Sequence, residues 1–303
     1  MRNHLPILWP WQGGKGRLAS WIASRLPPHR AYVEPFAGTA AVLFAKTPSP
    51  IEVLNDANGD IVAVYRCLQD DRTVRRLARR LRWTPISRAE WVRAHEPVDG
   101  DDVVEQAARF LIRMTQGFGG KPNASSWGGG ASDEIVLRLN RTLRRLQPAA
   151  ERLARVVLEQ GDWQTIVVRY DRPDTLIYCD PPYLTATDHN AYRTGTWDAS
   201  EQMRLLDWAI ASPSRIVMSG YDHPLYDRLR QAGWHQEFRR LSVSILGRTQ
   251  QTGLAGGQLD RQTHFREDCL WWSPSAWQAQ RQLTWWELPT AEDTSSEIQL
   301  GEL

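Results

Sequence analysis

Short apolar runs occur in two groups along the chain, separated by a long segment with a different pattern. The first group is residues 31–34 and 51–54, and the second is residues 156–159, 175–179 and 215–219. Runs of this length between turn residues are typical of buried strands, and the segments that follow them carry helical patterns. Strands that alternate with helices predict an α/β fold built on a parallel sheet.

The segment between the two groups, residues 60–155, has mostly helical signals and arginine-rich polar faces. It predicts a discontinuous α/β domain, residues 1–59 and 156–272, that is interrupted by a helical insertion. Within the insertion, residues 117–130 contain too many glycines for a helix and are too numerous for an ordinary connection. We expect a functional loop there.

The last part of the chain predicts less regular structure. Residues 241–246 and 269–272 have the composition of strands, and residues 247–262 between them are rich in Gly, Gln and Thr, as in the tip of a hairpin. Residues 273–303 show no clear periodicity, so we expect a separate tail whose last dozen residues are disordered.

A net charge of +2 hides an uneven distribution of charge. Nine arginines and only three acidic residues lie between Arg66 and Arg93, whereas the chain after Arg281 contains five acids and no Lys or Arg. A basic face of this kind suits a polyanionic partner, because phosphate contacts supply most of the sequence-independent affinity for nucleic acids. Arg-rich helices are also common as solvated faces, so charge alone leaves both interpretations open.

Composition excludes several other classes of protein. No apolar stretch approaches the roughly 20 residues of a membrane span, and the first residues lack the layout of a signal peptide, so we expect a cytoplasmic protein. Cys67, Cys179 and Cys269 are too widely spaced for a metal-ligand cluster or a disulfide framework. They predict a reducing compartment and no metal site.

A turn of small residues follows the first predicted strand. Residues 34–40, Glu-Pro-Phe-Ala-Gly-Thr-Ala, open a helix, where small side chains let a ligand approach the backbone and the helix N-terminus. Asp56 lies 18 residues beyond Gly38. In nucleotide-binding folds, an acidic side chain at about this spacing accepts hydrogen bonds from the ribose hydroxyls. The full G-x-G-x-x-G pattern of dinucleotide sites is absent. We therefore favour S-adenosylmethionine over a nicotinamide cofactor.

A second motif, Asp-Pro-Pro-Tyr at residues 180–183, follows an apolar strand and so lies where α/β folds bind their ligands. The Asp180 carboxylate and the rigid carbonyl of Pro181 can accept hydrogen bonds from the two N–H groups of one amino group. These bonds would hold its nitrogen toward a methyl donor. Tyr183 offers a flat face for an extruded base, a contact worth about 1 to 3 kcal/mol. Taken alone, such a tetrapeptide is more often an ordinary Pro-Pro loop with an aspartate that caps it. The turn at residues 34–40 and Asp56, which precede it in the same chain, favour methylation of a base amino group instead.

Three motifs in this order resemble the Dam-type, or D12 class, adenine-N6 DNA methyltransferases. Residues 11–15, Trp-Gln-Gly-Gly-Lys, are similar to the family's N-terminal Trp-Ala-Gly-Gly-Lys, residues 34–38 to its cofactor turn and residues 180–183 to its catalytic motif. Asp56 and Asp162 are similar to its second-strand and third-strand acids. Two departures stand out: Gln12 replaces the family's Ala, and Ala40 replaces its usual glycine.

The resemblance implies a Rossmann-like methyltransferase sheet with helices on both faces and an inserted, mainly helical target-recognition domain at residues 60–155. It implies S-adenosylmethionine as cofactor and double-stranded DNA as partner, with no obligate protein partner. The implied cofactor-binding residues are Trp11, Lys15, Glu34, Phe36, Gly38, Asp56, Asp162 and Asp180. The implied catalytic residues are Asp180, Pro181, Pro182 and Tyr183. The candidate DNA contacts are Lys121, Asn123, Arg75 and Arg79.

The residues themselves leave alternatives open. The same chemistry fits the N4 amino group of cytosine in DNA or adenine in RNA, and a basic segment does not distinguish the two nucleic acids. The glycine-rich loop has no clean match to the hairpin with which the family reads GATC, so no target sequence is implied. A catalytically silent nucleic-acid-binding module with the same fold is the alternative from another class, and the intact Lys15, Asp56 and Asp180 argue against it.

Overall fold

The computed structural model describes residues 7–11, 13–118, 126–128, 132–182, 197–220, 222–243 and 264–286. Within these ranges one sheet contains the strands β1 Ala31–Glu34, β2 Ile51–Asn55, β3 Val157–Glu159, β4 Thr175–Cys179, β5 Arg215–Gly220, β6 His235–Val243 and β7 His264–Trp272. Their spatial order is β3-β2-β1-β4-β5-β7-β6. Strands β1 to β5 are parallel, and β7 is antiparallel to both β5 and β6. The predicted α/β fold with a parallel sheet is confirmed.

The α-helices of the described ranges are α1 Ala19–Ala23, α2 Ala41–Ala45, α3 Gly59–Leu68, α4 Asp71–Arg82, α5 Arg88–Arg93, α6 Val103–Gln116, α7 Ser132–Leu153, α8 Trp163–Tyr170, α9 Ala199–Ala211, α10 Asp227–Gln231 and α11 Pro274–Trp286. None of them is long and apolar enough to cross a membrane.

Successive side chains of the central strands point to opposite faces, and each face has its own hydrophobic core. On β4, Leu176 and Tyr178 pack with the helices α1, α2, α3, α6 and α7, whereas Ile177 and Cys179 pack with α8 and α9. Because these strands are covered on both sides, their apolar residues follow one another rather than alternating with polar residues, and Glu34 at the end of β1 is itself buried. The predicted arrangement of helices on both faces of the sheet is confirmed.

The helical segment between β2 and β3 packs directly on the sheet. Tyr65 of α3 and Phe110 of α6 belong to the same cluster as Leu54 of β2 and Leu176 of β4. Helix α4 buries Val74, Leu77 and Leu81 and turns its arginines outward, as the amphipathic pattern predicts. The division into a catalytic domain and an insertion at residues 60–155 stays a prediction.

Helix boundaries in this segment follow from capping side chains. Asp70 accepts hydrogen bonds from the first amides of α4, and Asp102 does the same for α6. Ser87 caps α5 with Glu90 at the third helical position, which is the pattern of a capping box. Caps of this type supply partners for amides that have none within the helix.

Two expectations for the end of the chain need correction. The strand predicted at residues 241–246 begins at His235, six residues earlier, and residues 244–246 lie outside the described residues. The early part of β6 was missed because this edge strand has an exposed side, where Phe238 is found, and so lacks an apolar run.

The tail predicted at residues 273–303 begins instead with helix α11. Trp277 stacks on His235 at 3.5 Å between ring centroids, and Ala276 is buried. The hydroxyl of Ser273 accepts a hydrogen bond from the amide of Ala276, so the Ser-Pro pair at residues 273–274 was the available start signal. The predicted disorder of the last dozen residues falls outside the described residues.

Candidate active site

The C-terminal ends of four neighbouring strands bring the predicted motifs together. The turn at residues 35–40 follows β1, Asp56 follows β2, Asp162 follows β3 and Asp180 follows β4. In the order β3-β2-β1-β4 these ends are adjacent along one edge of the sheet. The chain leaves β1 and β4 toward opposite faces, and such a switch point is where α/β folds bind ligands.

Two residues of the turn have left-handed backbone geometry. Gly38 and Ala40 both have φ of +48°, and Ala40 is the only residue other than glycine with a positive φ among the described residues. Glycine adopts this conformation without strain, whereas a Cβ makes it costly. At Gly38 a Cβ would meet only Nε1 of Trp11, at 3.7 Å, so the space above the turn is open. The turn therefore leaves its backbone accessible to a ligand.

Asp56 ties the turn to the second strand. One carboxylate oxygen accepts a hydrogen bond from the amide of Gly38 at 2.9 Å, and the other accepts one from the amide of Asn58 at 2.8 Å. Burial raises the pKa of Asp56 to about 6, although both hydrogen bonds oppose the shift. The 18-residue spacing that singled out this pair therefore corresponds to a direct contact.

Asn55 is a structural residue whose individual role no sequence motif revealed. Its amide donates to the carbonyl of Pro35 at 2.9 Å and to that of Gly161 at 3.1 Å. The side chain thus joins the ends of β1, β2 and β3, and it is buried. A buried asparagine at the end of an apolar strand was the available signal, since buried polar groups are normally hydrogen-bonded.

Glu34 lies beneath the turn. Its Oε1 accepts hydrogen bonds from the Tyr32 hydroxyl at 2.6 Å and from the amide of Leu43 at 2.8 Å. The residue is 2% exposed, and burial raises its pKa to about 8. Glu34 therefore fixes α2 relative to β1, and its contact with a cofactor stays a prediction.

The N-terminal motif reaches the same edge of the sheet. Nζ of Lys15 lies 2.6 Å from Oδ1 of Asp180 and 3.2 Å from the carbonyl of Gly13. The Lys15 side chain is 5% exposed and that of Asp180 is 21% exposed. Trp11 lies beside Gly38, and its carbonyl accepts a hydrogen bond from the amide of Gly14. The resemblance linked these segments, and the structure brings Trp11 and Lys15 to the turn and to Asp180.

The remaining predicted cofactor residues lie at the other end of the turn. Phe36 is half-buried and packs on Trp163, with ring centroids 6.3 Å apart. Asp162 is exposed and caps α8 by accepting a hydrogen bond from the amide of Gln164. Both side chains are positioned by the first turn of α8, next to the carbonyl of Gly161.

Comparison with known proteins decides the family. Residues 11–214 match the family model described as D12 class N6 adenine-specific DNA methyltransferase. The chain belongs to this family. The matched range begins at Trp11 and includes the turn, Asp56, Asp162 and the Asp-Pro-Pro-Tyr motif.

Curated relatives agree with the family. The methyltransferase is 28% identical over 256 residues to a DNA adenine methylase of Salmonella typhi, covering 79% of this chain and 89% of the relative. It is 28% identical over 255 residues to a DNA adenine methylase of Escherichia coli (strain K12), with the same coverage. It is 24% identical over 240 residues to the Type II methyltransferase M1.LlaDCHI of Lactococcus lactis subsp. cremoris, covering 72% of this chain and 82% of the relative.

Family membership makes the chain an adenine-specific DNA methyltransferase, a class of enzymes that uses S-adenosylmethionine as methyl donor. The predicted function and family are confirmed. Asp180, Pro181 and Pro182 lie at the end of β4, and Pro181 is buried. Tyr183 lies outside the described residues, as do Lys121 and Asn123.

The basic segment of the methyltransferase is partly neutralised by acids. Arg75 pairs with Asp71 one turn away, and Arg80 pairs with Glu105 of α6 at 3.0 Å. Glu105 lies outside residues 66–93, so the excess of arginines in that segment overstates its free positive charge. Arg79 is exposed on α4, and no ion pair joins it to another described residue.

The glycine-rich loop is anchored next to these helices. The amide of Phe118 donates to the carbonyl of Ser126 at 3.0 Å, and that of Gly128 donates to the carbonyl of Gln116 at 2.8 Å. The guanidinium of Arg88 lies over the Trp127 ring at 5.2 Å from its centroid. The two ends of the loop therefore pair like a short antiparallel ribbon. The prediction that this segment is not an α-helix is confirmed for its described residues.

Proposed function

We propose that the chain binds S-adenosylmethionine along the ends of β1, β2 and β3 and methylates N6 of an adenine held at Asp180 in double-stranded DNA. One observation carries the proposal. The turn that Asp56 holds follows β1, the Asp180 carboxylate that Lys15 holds follows β4, and these two strands are neighbours in the sheet. Methyl transfer requires a cofactor site next to groups that accept hydrogen bonds from the target amino group.

The residues at the turn fit this cofactor. Gly38 leaves open space above the backbone, and Asp56 retains acceptor capacity for ribose hydroxyls because a carboxylate has about four lone-pair sites. Phe36 offers an aromatic face to the adenine ring. Trp11, Lys15, Glu34, Asp162 and Asp180 complete the proposed set. The cofactor supplies an electrophilic methyl group when it is bound.

Asp180 and Pro181 are the groups proposed to orient the target amino group. The Asp180 carboxylate and the Pro181 carbonyl each accept one N–H hydrogen bond, so the nitrogen lone pair is directed away from them. Lys15 holds the carboxylate in place and balances its charge. Tyr183 is proposed to stack on the flipped base, which offsets part of the few kcal/mol that unstacking costs.

The surface formed by α4 and the glycine-rich loop is the proposed DNA contact. Arg79 is exposed on α4, and Arg75 shares that outer face while pairing with Asp71. Lys121 and Asn123 belong to the loop whose ends α6 and Arg88 anchor. Arginines on one helix face suit phosphates along a duplex, and loop side chains suit base edges.

The test is methylation of duplex DNA with a radiolabelled methyl donor, followed by digestion and identification of the modified nucleoside. We expect the modified nucleoside to be N6-methyldeoxyadenosine. We also expect the Asp180→Ala variant to lose methyl transfer while it partly retains cofactor binding. Modified cytosine would contradict the adenine assignment, and transfer to RNA alone would contradict the DNA assignment. Near-normal turnover in Asp180→Ala would contradict the proposed reaction centre.

A further inference from the structure

Trp197 lies beside the turn although it belongs to none of the motifs. Its ring is 5.2 Å from that of Phe36 at an interplanar angle of 87°, and 6.4 Å from that of Trp163. Trp163 in turn packs on Phe36 at 6.3 Å. The three rings form one cluster, here called the turn cluster, in which each ring contacts the other two. Edge-to-face packing of this kind fixes ring orientation as well as burying surface.

The indole of Trp197 is itself held in one orientation. Its N–H donates to Oε1 of Gln202 at 3.1 Å, and the Gln202 amide donates to the Tyr226 hydroxyl at 3.1 Å. Gln202 is 1% exposed, and Tyr226 stacks on Trp271 of β7 at 5.6 Å. A chain of hydrogen bonds therefore connects the indole to Tyr226, whose ring packs on the sheet. Such chains define a single arrangement when every member is paired.

Phe36 depends on these neighbours for its position. It is half-buried although two rings pack against it, so part of its surface stays accessible to a ligand. Trp163 is buried and packs on it from one side, and the Trp197 ring packs nearly perpendicular to it. Removing Trp197 would remove the ring that packs perpendicular to Phe36 and so free additional rotamers of Phe36.

We propose that Trp197 is a positioning residue for the methyl donor, because its indole holds the Phe36 ring in the orientation that binds the cofactor. The inference rests on the proposed cofactor role of Phe36. Trp197 immediately precedes Asp198, whose carboxylate caps α9, so the indole is anchored to a rigid helix. It acts through Phe36 and need not touch the reacting atoms.

The experiment is a double-mutant cycle on the dissociation constant for S-adenosylmethionine, measured by calorimetry on the full chain. We expect Trp197→Ala to weaken cofactor binding about tenfold. In a Phe36→Ala background the same change should add less than about twofold, because the ring that it positions is gone. Trp197→Phe keeps an aromatic edge and should stay within about threefold of the wild type.

The matched control is Trp208→Ala. Trp208 packs on Trp163 at 6.0 Å, from the same core, and no described contact joins it to Phe36. We expect it to lower the unfolding midpoint while leaving the cofactor affinity of the folded protein unchanged. Affinity for duplex DNA without cofactor should be the same in all these variants, which a general loss of structure would not allow.

Three outcomes would overturn the inference: wild-type cofactor affinity in folded Trp197→Ala, effects of Trp197 and Phe36 that multiply independently, or failure of Trp197→Phe to restore binding. If Trp197→Ala does not fold, Trp197→Leu provides the same test with more apolar volume retained. A wild-type protein that fails to bind S-adenosylmethionine would instead contradict the proposed function, so the two failures are distinguishable.

Discussion

Nζ of Lys15 lies 2.6 Å from Oδ1 of Asp180, although 165 positions separate the two residues in the sequence. The lysine comes from a short 3-10 turn near the N-terminus, and the aspartate follows β4. An amino group that binds Asp180 must share this carboxylate with the lysine. The pair therefore contributes both to the stability of the protein and to methyl transfer. Mutation of one or both partners separates these two contributions.

Asp180→Asn should abolish most methyl transfer and also destabilise the protein. The amide loses the charge that orients the target amino group, and we expect kcat to fall at least about 100-fold. The Lys15 ammonium, which is 5% exposed, loses its ionic partner. Because Asp180 is 21% exposed, the loss should be about 1 to 3 kcal/mol, below that for a fully buried pair. Urea unfolding and a methylation assay measure the two quantities.

The double variant Lys15→Met/Asp180→Asn is the control. Removing both partners should restore at least half of the lost free energy of unfolding, since no unpaired cation remains. Activity should stay lost. Equal destabilisation by the single and double variants would show that the ion pair is not the source of the cost.

Glu34→Gln should remove a pH dependence of stability. Its pKa rises from 4.5 unfolded to about 8 folded, so the folded state retains a proton that the unfolded state has lost between these values. The contribution of Glu34 to stability is therefore greatest below pH 4.5, falls as pH rises, and levels off above pH 8. Glutamine keeps an oxygen for Tyr32 and for the amide of Leu43 without any charge.

Urea midpoints between pH 5 and 9 check this prediction. We expect the variant to match the wild type near pH 5 and to exceed it at pH 8. Glu34→Ala, which lacks the acceptor, should be destabilised at every pH. A wild type and a Glu34→Gln variant with parallel pH profiles would contradict the assignment.

The fold was predictable where burial leaves a local pattern. Strands covered on both faces contain consecutive apolar residues, and for this reason β1 and β4 could be located at their bounds from the sequence. The early part of β6 lies at an edge of the sheet and needs no such run. Helix α11 is held by a few contacts, such as Trp277 on His235, that periodicity does not reveal.

The candidate site was predictable through motifs and through one spacing. Gly38 and Asp56 were paired by their separation along a strand and turn, and the structure shows their hydrogen bond. The contacts of Lys15 with Asp180 and of Trp197 with Phe36 join distant segments, so they depend on the tertiary fold. The pairing of Arg80 with Glu105 likewise depends on the position of α6.

Cofactor affinity should depend on pH through Asp56. Burial raises the pKa of this carboxyl to about 6, so it is mostly protonated at pH 5 and ionised at pH 8. An ionised carboxylate accepts hydroxyl hydrogen bonds more strongly, so we expect S-adenosylmethionine to bind up to about tenfold more tightly at pH 8. Asp56→Asn should bind weakly and with a flat profile in calorimetry. The same pH dependence in both proteins would exclude Asp56 as its source.

Ala40→Gly should be nearly neutral, whereas Ala41→Gly should be destabilising. Ala40 has a φ of +48°, and relief of this left-handed strain gains about 1 to 2 kcal/mol. The gain offsets the greater entropy of an unfolded glycine and the loss of a buried methyl group. Ala41 is helical, so glycine there loses the methyl group and costs about 1 kcal/mol in propensity. Urea unfolding of both variants gives the comparison, and greater destabilisation at Ala40 would show that its backbone is unstrained.

Arg79→Gln should weaken DNA binding in a way that depends on salt. Arg79 is exposed on the outer face of α4 and pairs with no described acid, so a phosphate contact would release counterions. We expect a loss of about two- to fivefold in affinity and a decrease of about one in the slope of log affinity against log salt concentration. Fluorescence anisotropy with a labelled duplex at several salt concentrations measures both.

Arg228→Gln is the matched control, because Arg228 lies on α10 and pairs with Asp207, away from the basic helices. The control should leave the slope unchanged, and equal slopes for Arg79→Gln and the wild type would show that Arg79 makes no phosphate contact.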